Sequence, residues 1–88
     1  MKVEFLDKFS KDLDPIHTLS VRKAIERTII EAEAAKDIHE LRNIKKMKGH
    51  KIAYRIRIGD YRIGIYYEHG IIQFARVAHR KDIYRIFP

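Results

Sequence analysis

The chain has 88 residues, five tyrosines, four phenylalanines, no cysteine and a formal charge of +7, with a sequence pI near 9.8. That length makes one domain, 1–88, with a modest core, and the missing cysteines exclude disulfides, thiolate catalysis and zinc–thiolate centres. No apolar run approaches the ~20 residues that span a bilayer, and acids interrupt the N-terminus where a secretory signal is apolar, so a cytoplasmic chain is expected.

Residues 2–6 read as a short strand with Val3 and Phe5 on one face, and 7–12 as a helical turn turning Phe9 inward. Asp14-Pro15 looks like a helix start, Asp as cap and Pro at the first helical position. Ile16, Leu19, Ala24, Ile25, Thr28, Ile29 and Ala32 then recur at three- and four-residue steps, which predicts a helix over 15–35 buried along one stripe. Its outer face mixes signs and reads as solvated surface. Asp37 and Glu40 have capping-box spacing and open a short helical turn through Leu41. Residues 43–51 form a loop whose Ile44 and Met47 anchor it between lysines.

Three strands follow at 52–58, 61–67 and 71–78. Gly59-Asp60 is a two-residue hairpin turn, and Glu68-His69-Gly70 supplies the next one. The third strand is apolar on both faces and therefore central, while 79–88 is a short tail. The sum is an α+β fold: an N-terminal strand and one long helix packed on a three- to four-stranded, mainly antiparallel sheet.

The charge is uneven along this fold. Residues 1–41 carry seven bases and nine acids, whereas 42–88 carry twelve bases and three acids. Such a half points to a phosphate-rich partner or an acidic protein. A membrane surface is disfavoured, since the bases sit on strands and turns rather than along one amphipathic helix. A basic surface serving solubility alone would not leave the first half slightly acidic.

Strand alternation sends Ile52, Tyr54, Ile56 and Ile58 one way and Arg55 and Arg57 the other. Pairing Ile58 with Tyr61 sets Arg57 opposite Arg62 on that second face. Three guanidiniums then share one patch, and a bound anion is the natural compensation for their repulsion, although long side chains can also splay into water. At the far end of the sheet, His79 adds an imidazole able to move a proton, Arg80 adds a cation, and Tyr84 either donates a proton or packs the tail. Phe87 is expected to pack. No phosphate-cradling glycine loop, Ser-His-Asp set or metal-ligand histidine spacing is present, and no cofactor is implied. Paired carboxylates are disfavoured because the basic half holds only Asp60, Glu68 and Asp82.

Tyr54-Arg-Ile-Arg57, Gly59-Asp-Tyr-Arg62 and His79-Arg80-Lys-Asp-Ile-Tyr84 together resemble the RelE/ParE superfamily of toxins from type II toxin–antitoxin pairs. Element order agrees over nearly the whole chain, and the likeness is stronger to the RelE-like messenger-RNA-cleaving branch. The resemblance implies a ribosome-dependent endoribonuclease that cuts messenger RNA in the A site by metal-independent attack of a ribose 2′-hydroxyl. It also implies a cognate antitoxin as partner, covering the +7 surface with an acidic segment, and a free toxin that is monomeric. Carried over by position, the catalytic set is Arg55, Arg57, Arg62, Arg80 and Tyr84, with His79 as a further proton carrier. Lys45, Lys46, Lys48, Lys51, Arg76 and Lys81 are expected to contact RNA backbone. Familiar members carry lysines at the two strand positions, where this chain has Arg55 and Arg57. Arginine is a poor base but a good clamp for a phosphate gaining charge, so the general base is the open question. The alternatives are a ParE-like inhibitor of DNA gyrase and an antitoxin-binding module whose catalysis has lapsed.

Overall fold

A computed structural model describes all residues, Met1–Pro88. In chain order the elements are β1 (Lys2–Phe5), α1 (Asp7–Leu13), α2 (Leu19–Ala34), a 3-10 turn at Ile38–Glu40, β2 (Ile44–Lys46), β3 (Ala53–Ile58), β4 (Tyr61–Glu68), β5 (Ile71–His79) and α3 (Ile83–Ile86). The sheet has five strands in the order β1-β5-β4-β3-β2. Only the β1–β5 pair is parallel, because α1 and α2 lie between β1 and the meander and return the chain across the sheet. No helix is long and apolar enough to cross a membrane.

Three departures from the sequence reading have physical causes. The long helix begins at Leu19 rather than at Pro15. Ile16 is buried but belongs to the connection, where its N–H bonds Leu13 O at 3.0 Å. Arg22 then donates to the Leu13 and Ile16 carbonyls at 2.9 and 2.6 Å, closing that turn instead of a further helical one. The sheet gains a fifth strand because Ile44–Lys46, expected as loop, pairs with β3. Ile44 opposes Ile56 and packs on the core, and three residues are too few to show a period. Finally, the tail closes in one helical turn, α3, rather than running irregularly.

Both faces of the sheet are used. On one, Ile56, Ile63, Ile65, Ile72, Phe74 and Val77 meet Phe9, Ile25, Ala32 and Ile38 in the main core. On the other, Met47, Ala53, Ala75, Ile83 and Phe87 form a second, smaller core beneath the tail. Gly64 is the seat of that tail: a Cβ there would stand 2.5 to 2.8 Å from carbons of the Phe87 ring. A glycine inside a strand here marks a close approach.

The β4–β5 register shifts at Gly64, which pairs with Arg76 while Ile65 pairs with Phe74. The bulge leaves Ala75 unpaired and turns both Ala75 and Arg76 toward the tail. Arg76 donates to both Asp12 carboxylate oxygens at 2.8 and 3.1 Å, and Asp12 also accepts the Val77 N–H at 3.0 Å. The Asp12 hydrogen bond raises the Arg76 guanidinium above its ordinary pKa despite burial. Asp12→Ala leaves that charge with only the long 3.4 Å bond to the Ile86 carbonyl, and the Val77 N–H without a partner. We expect a loss of about 3 kcal/mol, seen as a fall of roughly 15 °C in a thermal melt, while Arg76→Met with Asp12→Leu recovers much of it.

Candidate active site

The hairpin sets the arrangement. Gly59 takes φ +56°, a left-handed conformation that suits the first position of the two-residue turn. The register puts Ile58 opposite Tyr61, Arg57 opposite Arg62 and Arg55 opposite Gly64. Because Ile56 and Ile63 face the main core, Arg55, Arg57 and Arg62 share the opposite face, beside the tail. Lys45, opposite Arg55 on β2, extends the row.

Arg62 stands at its centre. Its Nη1 donates to Gly59 O at 2.8 Å and Tyr61 O at 2.9 Å, so the turn backbone fixes the guanidinium and leaves Nε and Nη2 for a ligand. Its pKa is lowered, first by burial and then by the charges of Arg55, Arg57 and Arg80, with Tyr84 opposing them. One residue therefore feels all the others that the resemblance brings together. Arg80 reaches the patch because its backbone N–H bonds Asp60 O at 2.7 Å, tying the end of β5 to the hairpin tip. The Asp60 carboxylate stands 3.8 Å from Arg80 Nε and is largely exposed, so it screens the cluster weakly.

Tyr84 is 62% exposed, and the Arg55 guanidinium carbon lies 5.6 Å from its ring centroid. Buried Ile83 and Phe87 on either side hold it there. Phe87 packs, as expected, at 5.1 Å from the Tyr66 ring.

Other expected site residues fall elsewhere. His79 pairs with Tyr61, which packs on the main core, and their rings lie 5.7 Å apart. That puts the imidazole across the sheet from the arginines, with Nδ1 accepting the Lys81 N–H at 3.2 Å. Arg76 is spent on Asp12 and the Ile86 carbonyl, so it serves the tail rather than a solvent-facing partner. Lys45, Lys46, Lys48, Lys51 and Lys81 are exposed. Buried Met47 pins the lysine loop, its N–H bonded to Ala53 O at 2.8 Å. Nowhere do three His, Asp or Glu side chains converge as a metal-binding group. Two residues the motifs did not reveal, Gly64 and Asp12, position the site through the tail and Arg76. A glycine within an alternating strand was the one available signal for the first.

Like charges across a hairpin destabilise it, so Arg57→Gln is expected to raise the stability of the free protein by about 0.3–1 kcal/mol. The same substitution should weaken binding of single-stranded RNA, and the pair of measurements is a thermal melt and a filter-binding titration. A drop in both would mean that the cluster is not strained by its own charge.

No protein-family model matches the chain. Over its full length, and over the whole of that protein, it is 46% identical to Toxin RelE3 of Methanocaldococcus jannaschii. The chain belongs to the RelE family of toxins, and its fold is that family's. In a crystal structure of the RelB–RelE antitoxin–toxin complex from Methanococcus jannaschii, a chain 41% identical superposes with a TM-score of 0.83, covering 97% of this chain and 99% of that one. A chain of the E. coli DinJ–YafQ toxin–antitoxin complex shares the fold at 12% identity, with a TM-score of 0.67 over 94% of this chain and 96% of its own.

Proposed function

We propose that this toxin is an endoribonuclease that cuts messenger RNA on the ribosome, working by cationic charge stabilisation. The observation that carries the reading is one sheet face on which Arg57 stands opposite Arg62, Arg55 lies under the Tyr84 ring and Arg80 is tied to the hairpin tip. Attack of a ribose 2′-hydroxyl on the adjacent phosphorus forms one P–O bond and breaks the bond to the 5′-oxygen, the 2′-proton passing to solvent water. The products are a 2′,3′-cyclic phosphate and a free 5′-hydroxyl. Negative charge grows on the non-bridging oxygens between these two events.

Arg62, held by the turn, and Arg57 beside it offer paired N–H groups to those oxygens, and Arg80 closes the patch from the hairpin tip. Donors fixed before the reaction need no reorganisation during it. Tyr84 stands over the face with its phenol free, placed to give a proton to the departing 5′-oxygen. Arg55, under its ring, holds it by a cation–π contact. His79, on the other face, takes no part in this scheme. The guanidiniums therefore supply most of the acceleration, and no side chain on this face is a strong base for the 2′-hydroxyl.

Lys45, Lys46, Lys48 and Lys51 on the pinned loop, with Lys81, hold RNA backbone. Their contribution should fall steeply with salt, by about 0.7 in log–log slope for each phosphate contacted. An antitoxin partner accords with the toxin–antitoxin complexes of the relatives, and charge would speed the encounter of an acidic segment with this basic face. Primer extension on a message with ribosomes, with and without the toxin, tests the reading. Codon-phased cuts that need ribosomes support it. Intact message together with inhibited DNA supercoiling by gyrase would replace it with the other branch's activity.

A further inference from the structure

Beside the arginine face, at the sheet edge, lies a cleft that the scheme above does not use. The last β2–β3 pair is Ile44 with Ile56. Beyond it, Asn43 still accepts the Arg57 N–H, and a cleft opens between this edge and α2. The opening holds about 260 Å³. Its floor is apolar, made by Ala24, Leu41 and Ile56. Its rim is charged: Arg27 and Glu31 from α2, and Arg42 from the segment that leads into β2.

The state of these rim groups is informative. Arg27 and Glu31 are four residues apart on one helix, the spacing at which opposite charges ordinarily pair. They do not, since the ion pairs of the protein are Lys2–Glu4, His39–Asp37, His69–Glu68, Arg76–Asp12, Arg80–Asp60 and Arg85–Asp82. No side-chain hydrogen bond engages Arg42 either. Donors and an acceptor therefore stand free around a hydrophobic floor. The cleft is also joined to the arginine face. Asn43, held at φ +59°, accepts the Arg57 N–H on its carbonyl at 3.0 Å, so cleft and patch meet at one residue of β3.

We propose that this cleft is a subsite for one nucleotide of the RNA strand, next to the scissile phosphate and selective for its base. Ala24, Leu41, Ile56 and Ile58 offer a small apolar surface for a planar ligand among a majority of polar and charged lining residues, and the volume lies just below the ~300 Å³ at which drug-sized pockets begin. Unstacked bases of single-stranded RNA present both acceptors and N–H donors on their edges. Arg27 and Arg42 meet the acceptors, Glu31 meets a donor, and the phosphate of the same nucleotide faces Arg57. A purely anionic ligand would leave Glu31 repelled, and a purely apolar one would strand three charged side chains. The inference rests on the ribonuclease reading for its biological sense, but its binding test does not need the ribosome.

The four nucleoside 3′-monophosphates, titrated into the full-length isotope-labelled protein, should shift the amide resonances of Ala24, Thr28 and Asn43. Affinity should fall about tenfold in the Arg27→Ala/Arg42→Ala double variant, the scale of a lost bidentate contact to a base edge. Glu31→Gln should reorder the four nucleotides and, on ribosomes, redistribute the codons that are cut. Shifts confined to the face of Arg55, Arg57 and Arg62 overturn the subsite, as does an unchanged codon distribution in Glu31→Gln. Cleft binding without any ribosome-dependent cutting would sink the nuclease reading alone. Codon-phased cutting without cleft binding would sink the subsite alone.

Discussion

Arg62→Ala should lower ribosome-dependent cleavage by about 10²–10³-fold, the cost of removing one preorganised donor from a developing oxyanion. Arg62 lies directly opposite Arg57 on the cationic face, and its orientation is fixed by the Gly59 and Tyr61 carbonyls. Stability should change little, because relief of repulsion from Arg55, Arg57 and Arg80 offsets the two lost hydrogen bonds to the Gly59 and Tyr61 carbonyls. Arg62→Lys separates charge from geometry. A lysine keeps the charge but loses the fork, so an intermediate rate is expected. Single-turnover primer extension gives the rates, and a thermal melt checks the fold. Wild-type cutting by Arg62→Ala would remove the arginine patch from the mechanism.

The second large effect lies in the tail. Phe87→Ala empties a site that is 3% exposed and is expected to cost about 3–5 kcal/mol, a large share of the stability of so small a domain. Gly64→Ala attacks the same contact from the other side. The new methyl would meet the Phe87 ring at 2.5 Å, and overpacking of this kind costs about 1–3 kcal/mol. The two are coupled: in the Phe87→Ala background the Gly64 methyl enters vacated space, so its penalty should vanish or change sign. Either single variant also loosens the segment that carries Tyr84. Cleavage should therefore fall more than the folded fraction does, as a melt and a cleavage assay at one temperature will show. Independent, additive penalties would mean that the glycine is not the seat of the tail.

What could be read from residues alone was whatever depends on local geometry. Alternation along 52–67 set which side chains share a face, and a two-residue turn admits one register, so Arg57 opposite Arg62 followed directly. The centrality of β5 followed from its two apolar faces, and it does lie between β1 and β4. Local signals failed where a long-range partner decides. Ile44-Lys-Lys46 becomes a strand because β3 offers it an edge, not through any period of its own. Asp14-Pro15 has the chemistry of a helix start, yet Arg22 closes the preceding carbonyls and the helix waits until Leu19.

The candidate site divides along the same line. Sequence by itself determined the family likeness, the cationic strand face and the identity of its arginines, since a hairpin and a period of two are short-range facts. Only the tertiary structure decided which cations are free. Arg76 and Arg62 look alike in the sequence, but Asp12, 64 residues from Arg76, takes up one guanidinium, while a turn of three residues presents the other. His79 and Tyr84 both looked able to move protons. The strand end turns the first to the core side, and Phe87 in its glycine seat brings the second over Arg55. The physical reason is the same in each case: a side chain's type is local, but its partner is chosen by packing between segments far apart in the chain.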